Sequence, residues 1–386
     1  MNIEKYKEKL EGKTFIFKVG SYNNLGGAET KAITMAEILK DEIGAKVLFL
    51  ANGGDGLLKQ VLKEKGFETL VFKYNLKAKP FKKALNILKQ ILFLRKLKPD
   101  FILPWSSDNC KSILPFWKWT GAKYAWWNMQ DEGRGLYKTP NEKKLLLEAS
   151  EIISNSLAGQ IFINETYDIP KKQIKLYNNP TEIPDISKVK PFWRQQLNLD
   201  NDVLIVSMMA NITRYKDHKT LFKAWQIVEK HFEKQEKKVM LLLAGDCRDT
   251  TKDLKVLGFD LGISNSIKFL GSILEVNELI LDSELVVHSS NHEGCPNAVC
   301  EAMALEKAVV GTDIPGVREA LSGTYEEYTL TIRNDERDLG NKLIFMLEHP
   351  DLAKEIGIFN KNRTKTEYTL QGMVDTLLPA FIKHLD

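Results

Sequence analysis

The sequence predicts an α/β protein built from two doubly wound, Rossmann-like domains that face each other across a cleft. Three observations lead there. Short β-branched or aromatic runs alternate with segments of helical period along most of the chain. The alternation breaks once, at the turn-rich, proline-rich stretch "LYNNPTEIPDISKVKPFWRQQLNL", and then resumes. The chain's 386 residues also exceed the roughly 250–300 at which a single core stops growing.

Taken in order, the first-half strands are "TFIFKVG", "KVLFLA", "TLVFK", "DFILPW", "KYAWWN" and "EIISNS". Those of the second half are "VLIVSMMA", "VMLLLAG", "SIKFLG", "ELVVHSS" and "KAVVGT". Runs this short and this apolar suit parallel strands covered by helices on both faces. The join falls near residues 180 to 190, giving domains 1–183 and 184–366. In doubly wound sheets the ligand-binding loops gather at the strand C-terminal ends, and a ligand sits naturally between two such faces.

Composition narrows the function classes. A net charge of +4 is too mild to indicate obligatory nucleic-acid binding. Four cysteines, Cys110, Cys247, Cys295 and Cys300, lack both CxxC spacing and disulfide density, which fits a reducing compartment. No apolar run approaches the roughly 18 residues of a membrane span, and "MNIEKYKEKLEGK" lacks a signal-peptide core. The expectation is a cytoplasmic protein. The basic excess is concentrated in 57–99, where "PFKKALNILKQILFLRKLKPD" sets Phe81, Leu85, Leu88 and Leu92 at helical spacing among cations. That segment reads either as a solvated basic helix face or as a peripheral contact with the inner face of an anionic membrane.

The chemistry concentrates in "NHEGCPNAVCEAMALEKAVVGTDIPGVREA". "ELVVHSS" is a strand, residues 291 to 295 a loop, and Pro296 opens a helix. Glu293 then lies in the loop and Glu301 in the second helical turn. Between them the amides of Asn297, Ala298 and Val299, at the positive end of the helix dipole, form a seat for a phosphate. Two carboxylates repel an anion, so the ligand must also bring hydroxyls, since an ionised carboxylate accepts from a vicinal diol with both oxygens. A sugar nucleotide carries both groups. Cations for its diphosphate are offered by "MMANITRYKDHKTLFKAW", where Arg214 and Lys216 follow a strand. In the first domain Gly26 and Gly27 fill the turn after the first strand and let backbone approach a ligand.

Other signals are weaker. "DND" at 200–202 has Asp-x-Asp spacing but reads as a turn before a strand. His288 and His292 lie on a strand and its loop, without the one-face geometry of a helical zinc pair, and read as structural. "ANGGDG" at 51–56 reads as a turn with an alternative as a sugar contact. Trp105, Trp117, Trp119, Trp126 and Trp127 suit an acceptor pocket and core packing equally.

The quoted stretch resembles the Glu-x7-Glu signature of glycosyltransferase family 4. It matches as Glu293, Gly294, Cys295, Pro296, Asn297, then Glu301, Ala302, Met303, Ala304, then Thr312, Asp313, Gly316 and Glu319. The similarity extends to "GGAE", "ANITRYKDHKTLFKAW", "KFLGSILEVNELI" and "LYNNP". It implies a GT-B fold with the last helix, 367–386, returning to the first domain. It further implies a retaining, metal-independent transferase without cofactor, using a UDP- or GDP-sugar and a glycan or lipid-linked acceptor in cell-surface polysaccharide or lipopolysaccharide assembly. By the resemblance Glu301 takes the ribose diol, Glu293 the donor sugar near the reacting carbon, and Gly294, Cys295, Pro296, Asn297 and Ala298 the phosphate and sugar. Lys216 with Arg214 neutralises the leaving diphosphate. The pattern departs at Asn211, where many members carry arginine. No histidine stands in "YAWWNMQDEGRG", so Asn128, Gln130 or Asp131 is expected on the acceptor side. The alternatives are a 2-epimerase or phosphorylase on the same scaffold, and a non-catalytic sugar-nucleotide or polyanion binder.

Overall fold

The computed structural model describes residues 3–73, 80–247 and 250–385. Lys77 and Lys79 of the basic stretch lie outside the described residues. The chain forms two compact units, Met1–Asn179 with Gln371–Asp386, and Pro180–Leu370.

In the first unit β1 (Thr14–Lys18), β2 (Lys46–Ala51), β3 (Glu68–Val71), β4 (Phe101–Pro104), β5 (Tyr124–Met129), β6 (Glu151–Ser154) and β7 (Ile174–Leu176) form one parallel sheet. Its order is β3-β2-β1-β4-β5-β6-β7. Alternate side chains serve two cores, because successive residues of a strand point to opposite faces. Phe15, Phe17 and Trp126 join one, and Ile16, Ala125 and Trp127 the other. The C-terminal helix Leu370–Ile382 belongs to the first of these cores. There Phe381 meets Phe15, Phe101 and Tyr124 edge-on, with ring centroids 5.4, 5.4 and 5.5 Å away.

The second unit holds β8 (Leu204–Met209), β9 (Val239–Ala244), β10 (Ile267–Gly271), β11 (Leu285–His288), β12 (Val309–Thr312) and β13 (Leu330–Thr331), in order β10-β9-β8-β11-β12-β13. All its pairings are parallel. From β8 the chain runs outward one way through β9 and β10, then returns to place β11 on the other side of β8. The reversal leaves a switch point between β8 and β11, where connecting helices diverge to opposite faces and open a crevice.

Candidate active site

Two loops meet at that switch point, one leaving β8 and one leaving β11. Backbone bonds tie them together: Asn291 N–H donates to the Tyr215 carbonyl (2.9 Å) and Asp217 N–H to the Ser289 carbonyl (3.2 Å). The Ser289 hydroxyl returns a bond to the Asp217 carbonyl at 2.7 Å. Asp217 then caps the helix His218–Glu233, its Oδ1 accepting from Thr220 N–H at 3.2 Å.

This joinery brings together side chains 77 positions apart in sequence. The Lys216 ammonium donates to Glu293 Oε1, and His288 Nε2, at the end of β11, donates to the same oxygen at 2.8 Å. The Lys216 and Glu293 side chains are 22% and 12% exposed. Burial raises the Glu293 carboxyl, but the Lys216 charge and the His288 hydrogen bond outweigh it and hold the group well below the usual carboxylate range. Burial, then the Lys216 charge, pushes His288 down, so its imidazole is neutral and its Nε2 carries the proton. His288, expected as structural, thus bonds directly to the loop glutamate and holds its carboxylate.

His218 lies behind this group. Its Nδ1 is 3.1 Å from the Lys216 carbonyl, and its Nε2 is buried without a hydrogen-bond partner. Burial brings its pKa down to about 4. A histidine kept neutral in the fold but free to protonate near 6.5 when unfolded stabilises fully above about pH 6.5. That contribution is lost as pH falls from 6.5 toward 4. His288 acts in the same direction, and Glu293 adds a further loss below its unfolded pKa. Unfolding free energy is therefore expected to drop by up to about 1.4 kcal/mol per pH unit through this window from His218 alone. Chemical denaturation at pH 7.5 and 5 tests it, and His218→Gln should flatten the slope.

The helix Asn297–Ala304 follows the glutamate loop, with Pro296 as its N-cap rather than its first residue. Val299, Cys300, Ala302 and Met303 bury into the unit's core. At 100° per residue Glu301 returns to within about 40° of Asn297, on the face opposite the core. Its side chain leans toward the helix start, as helical Cβ atoms do. One expected amide is not available: Val299 N–H donates to the Pro296 carbonyl at 3.0 Å, because the first turn is tight. Val299 is thereby removed from the expected phosphate seat.

Gly316 explains how the loop holds its course. A Cβ there would lie 1.9 Å from the Gly294 carbonyl oxygen and 2.6 Å from that of Glu293, so only glycine lets the helix Pro315–Leu321 approach. Of the two expected cations, Lys216 reaches Glu293, while Arg214 is exposed and turns back on Tyr215, with a 2.9 Å bond to its hydroxyl. Asn211 uses its Oδ1 to accept from Asp246 N–H at 2.9 Å and so fastens the β8 loop to the β9 loop.

The first unit presents a different picture. Gly26 caps the helix Gly27–Glu37, but its N–H donates to Glu29 Oε2 at 3.2 Å, so a carboxylate already occupies the turn. Asn128 is wholly buried, with its Nδ2 unpartnered. Gln130 links Asn128 Oδ1 to the Tyr177 hydroxyl, 3.1 Å away, and accepts from Asn155 Nδ2 at 3.3 Å. Asp131 instead holds a turn, accepting from Gly133 and Arg134 N–H at 3.0 and 2.9 Å. Of the five tryptophans Trp105, Trp117, Trp126 and Trp127 are core, and Trp119 is exposed. The residues at 200–202 form a turn before β8, and Gly53 and Gly54 adopt positive φ in theirs. The sequence reading missed Lys18, buried at the end of β1, which donates to the Val19 carbonyl (2.7 Å) and Asn52 Oδ1 (3.0 Å). Burial brings its pKa down to about 7.

Residues 189–363 match the model of the family described as glycosyl transferases group 1. An uncharacterized glycosyltransferase of Methanocaldococcus jannaschii is 25% identical over 260 residues, 63% of this chain and 63% of that protein, so the match spans just under two thirds of the relative. The N,N'-diacetylbacillosaminyl-diphospho-undecaprenol alpha-1,3-N-acetylgalactosaminyltransferase of Campylobacter jejuni is 24% identical over 317 residues, covering 76% of this chain and 80% of its own. Among solved structures, HepE of Anabaena in complex with UDP and glucose has a TM-score of 0.80 at 20% identity, over 95% of this chain and 99% of that one. The fold is GT-B, and the family likeness lies within the second unit, over residues 189–363.

Proposed function

We propose that the protein transfers a sugar, with retention of configuration, from a UDP- or GDP-sugar to a glycan or lipid-linked acceptor, through the family 4 Glu-x7-Glu arrangement. The carrying observation is the Lys216, Glu293 and His288 cluster at the β8/β11 switch point, beside the start of the helix that bears Glu301. Lys216 and Glu293 neutralise each other in their ion pair. A diphosphate arriving at Asn297 and Ala298 draws Lys216 to itself and leaves Glu293 to accept from the donor sugar's hydroxyls. His288 holds the carboxylate in place by its Nε2–H. As the leaving diphosphate gains charge, Lys216 and the helix start stabilise it, the kind of electrostatic term that usually dominates such chemistry. Glu301 receives the ribose diol. In this reading charge neutralisation falls to protein groups, and the reaction is metal-independent.

The relatives support the substrate classes. HepE was solved with UDP and glucose, and the Campylobacter relative is named for a sugar carried on diphospho-undecaprenol. A role in polysaccharide or lipopolysaccharide assembly at the cytoplasmic side of a membrane follows from that analogy. Gln130, half-buried and held by Asn128 Oδ1 and the Tyr177 hydroxyl, is the first-unit group proposed to serve the acceptor.

A thermal-shift panel of UDP- and GDP-sugars tests the reading, since a ligand at 100 times its dissociation constant stabilises by about 2.7 kcal/mol. One nucleotide series should raise the melting temperature and the other not. Glu301→Ala should weaken that donor's affinity by roughly 10- to 100-fold, the worth of a hydrogen bond to a charged group. A panel without any shift would contradict the proposal.

A further inference from the structure

The helix Pro80–Leu97 carries two apolar faces where a surface helix needs one. Ile91 and Leu94 bury into the first unit's core. On the far side Phe81, Leu85, Leu88 and Leu92 are 82, 43, 51 and 51% exposed. At 100° per residue these four fall within an arc of about 60°, roughly opposite the buried side. Cations border the ridge: Lys82, Lys89 and Lys96 fall along one flank and Arg95 along the other, all exposed. The helix contains no Asp or Glu. The short turn Trp117–Thr120 packs against this helix and exposes Trp119, while Lys118 pairs with Glu148 at 2.7 Å.

We propose that this ridge docks the first unit onto an anionic lipid bilayer, with the helix lying in the plane of the headgroups. The four apolar side chains would enter the acyl boundary while the flanking cations meet lipid phosphates, the arrangement of an interfacial amphipathic helix. Trp119 has the amphipathic ring that favours the interface. Charge decides against a second copy of the chain as the occupant: two such ridges face to face would bring cation rows against each other with no carboxylate from the helix to offset them. A bilayer surface also presents its negative charge on both sides of the ridge at once. The inference is independent of the donor site in the second unit.

Co-sedimentation of the full chain with vesicles tests it. The wild type should partition onto phosphatidylcholine vesicles holding about 30% phosphatidylglycerol at least about tenfold more strongly than onto phosphatidylcholine alone. Raising salt to about 0.5 M should weaken this, because screening shortens the reach of the cations. Leu88→Glu with Leu92→Glu should lower the partition by about tenfold or more, and so should Lys82→Glu with Lys89→Glu and Lys96→Glu. Both sets alter exposed positions, so melting temperature and donor-induced thermal shift should stay as in the wild type. Equal binding to neutral and anionic vesicles would overturn the proposal, as would wild-type binding by both folded variants. Self-association that Leu88→Glu with Leu92→Glu abolishes, in a protein that ignores vesicles, would also overturn it and assign the ridge to a second copy.

Discussion

Lys216→Ala is expected to lower turnover by roughly 10²- to 10³-fold, the usual effect of removing a group that stabilises charge in the transition state. Donor KM should rise by much less, because the helix start and Glu301 still hold the ground state. The same change should destabilise the second unit, since Glu293 then keeps its charge at a site only 12% exposed, with the neutral His288 imidazole as its hydrogen-bond donor. Removing one partner of a buried pair costs about 3–5 kcal/mol, and partial solvent access places this case at or below the lower end. Adding Glu293→Gln removes the orphaned charge. The double variant should therefore recover stability without recovering turnover, a split visible in denaturant titration and steady-state kinetics. Loss of activity that returns with stability would show a scaffold role for Lys216.

Gly316→Ala is the second large effect expected. The added methyl meets the backbone carbonyls of Gly294 and Glu293, not the end of a flexible side chain, so the loop itself must shift. Overpacking of this kind costs about 1–3 kcal/mol. The displaced loop carries Glu293 away from Lys216 and His288, so donor affinity should fall at least about tenfold, as misplacement of a site residue commonly does. Calorimetric titration well below the melting temperature separates the site effect from unfolding.

Much of the fold was legible because buried parallel strands are short uninterrupted apolar runs. The runs "KVLFLA" and "VMLLLAG" coincide with β2 and β9 to within a residue. The edge strands β7 and β13 were not legible. At three and two residues, Ile174–Leu176 and Leu330–Thr331 are too short to show any period. The pairing of Lys216 with Glu293 was legible only as two residues bound for strand C-terminal ends. That they touch depends on β8 and β11 being neighbours, a matter of strand order. His288 was weighed as a zinc ligand or a structural residue, so its bond to Glu293 was not foreseen. Its place at a strand end, five residues before a loop glutamate, is the signal that could have found it. The tryptophans were ambiguous for a physical reason: a flat apolar ring suits a core and a sugar pocket alike, and only burial separates Trp126 from Trp119.

Gly26 shows the opposite case. The glycine turn was read as open to a ligand, yet Glu29, three residues on, folds back onto its amide. The clue was present in "GGAE", where a glutamate three positions after the cap is the usual partner of the cap's N–H.

The crystal structure of the protein with bound UDP or GDP tests the central claim most directly. The account predicts the diphosphate at the amides of Asn297 and Ala298, with the Lys216 ammonium moved onto it and the Glu301 carboxylate on the ribose diol. A nucleotide bound away from the β8/β11 switch point, with the Lys216 to Glu293 ion pair undisturbed, would contradict it.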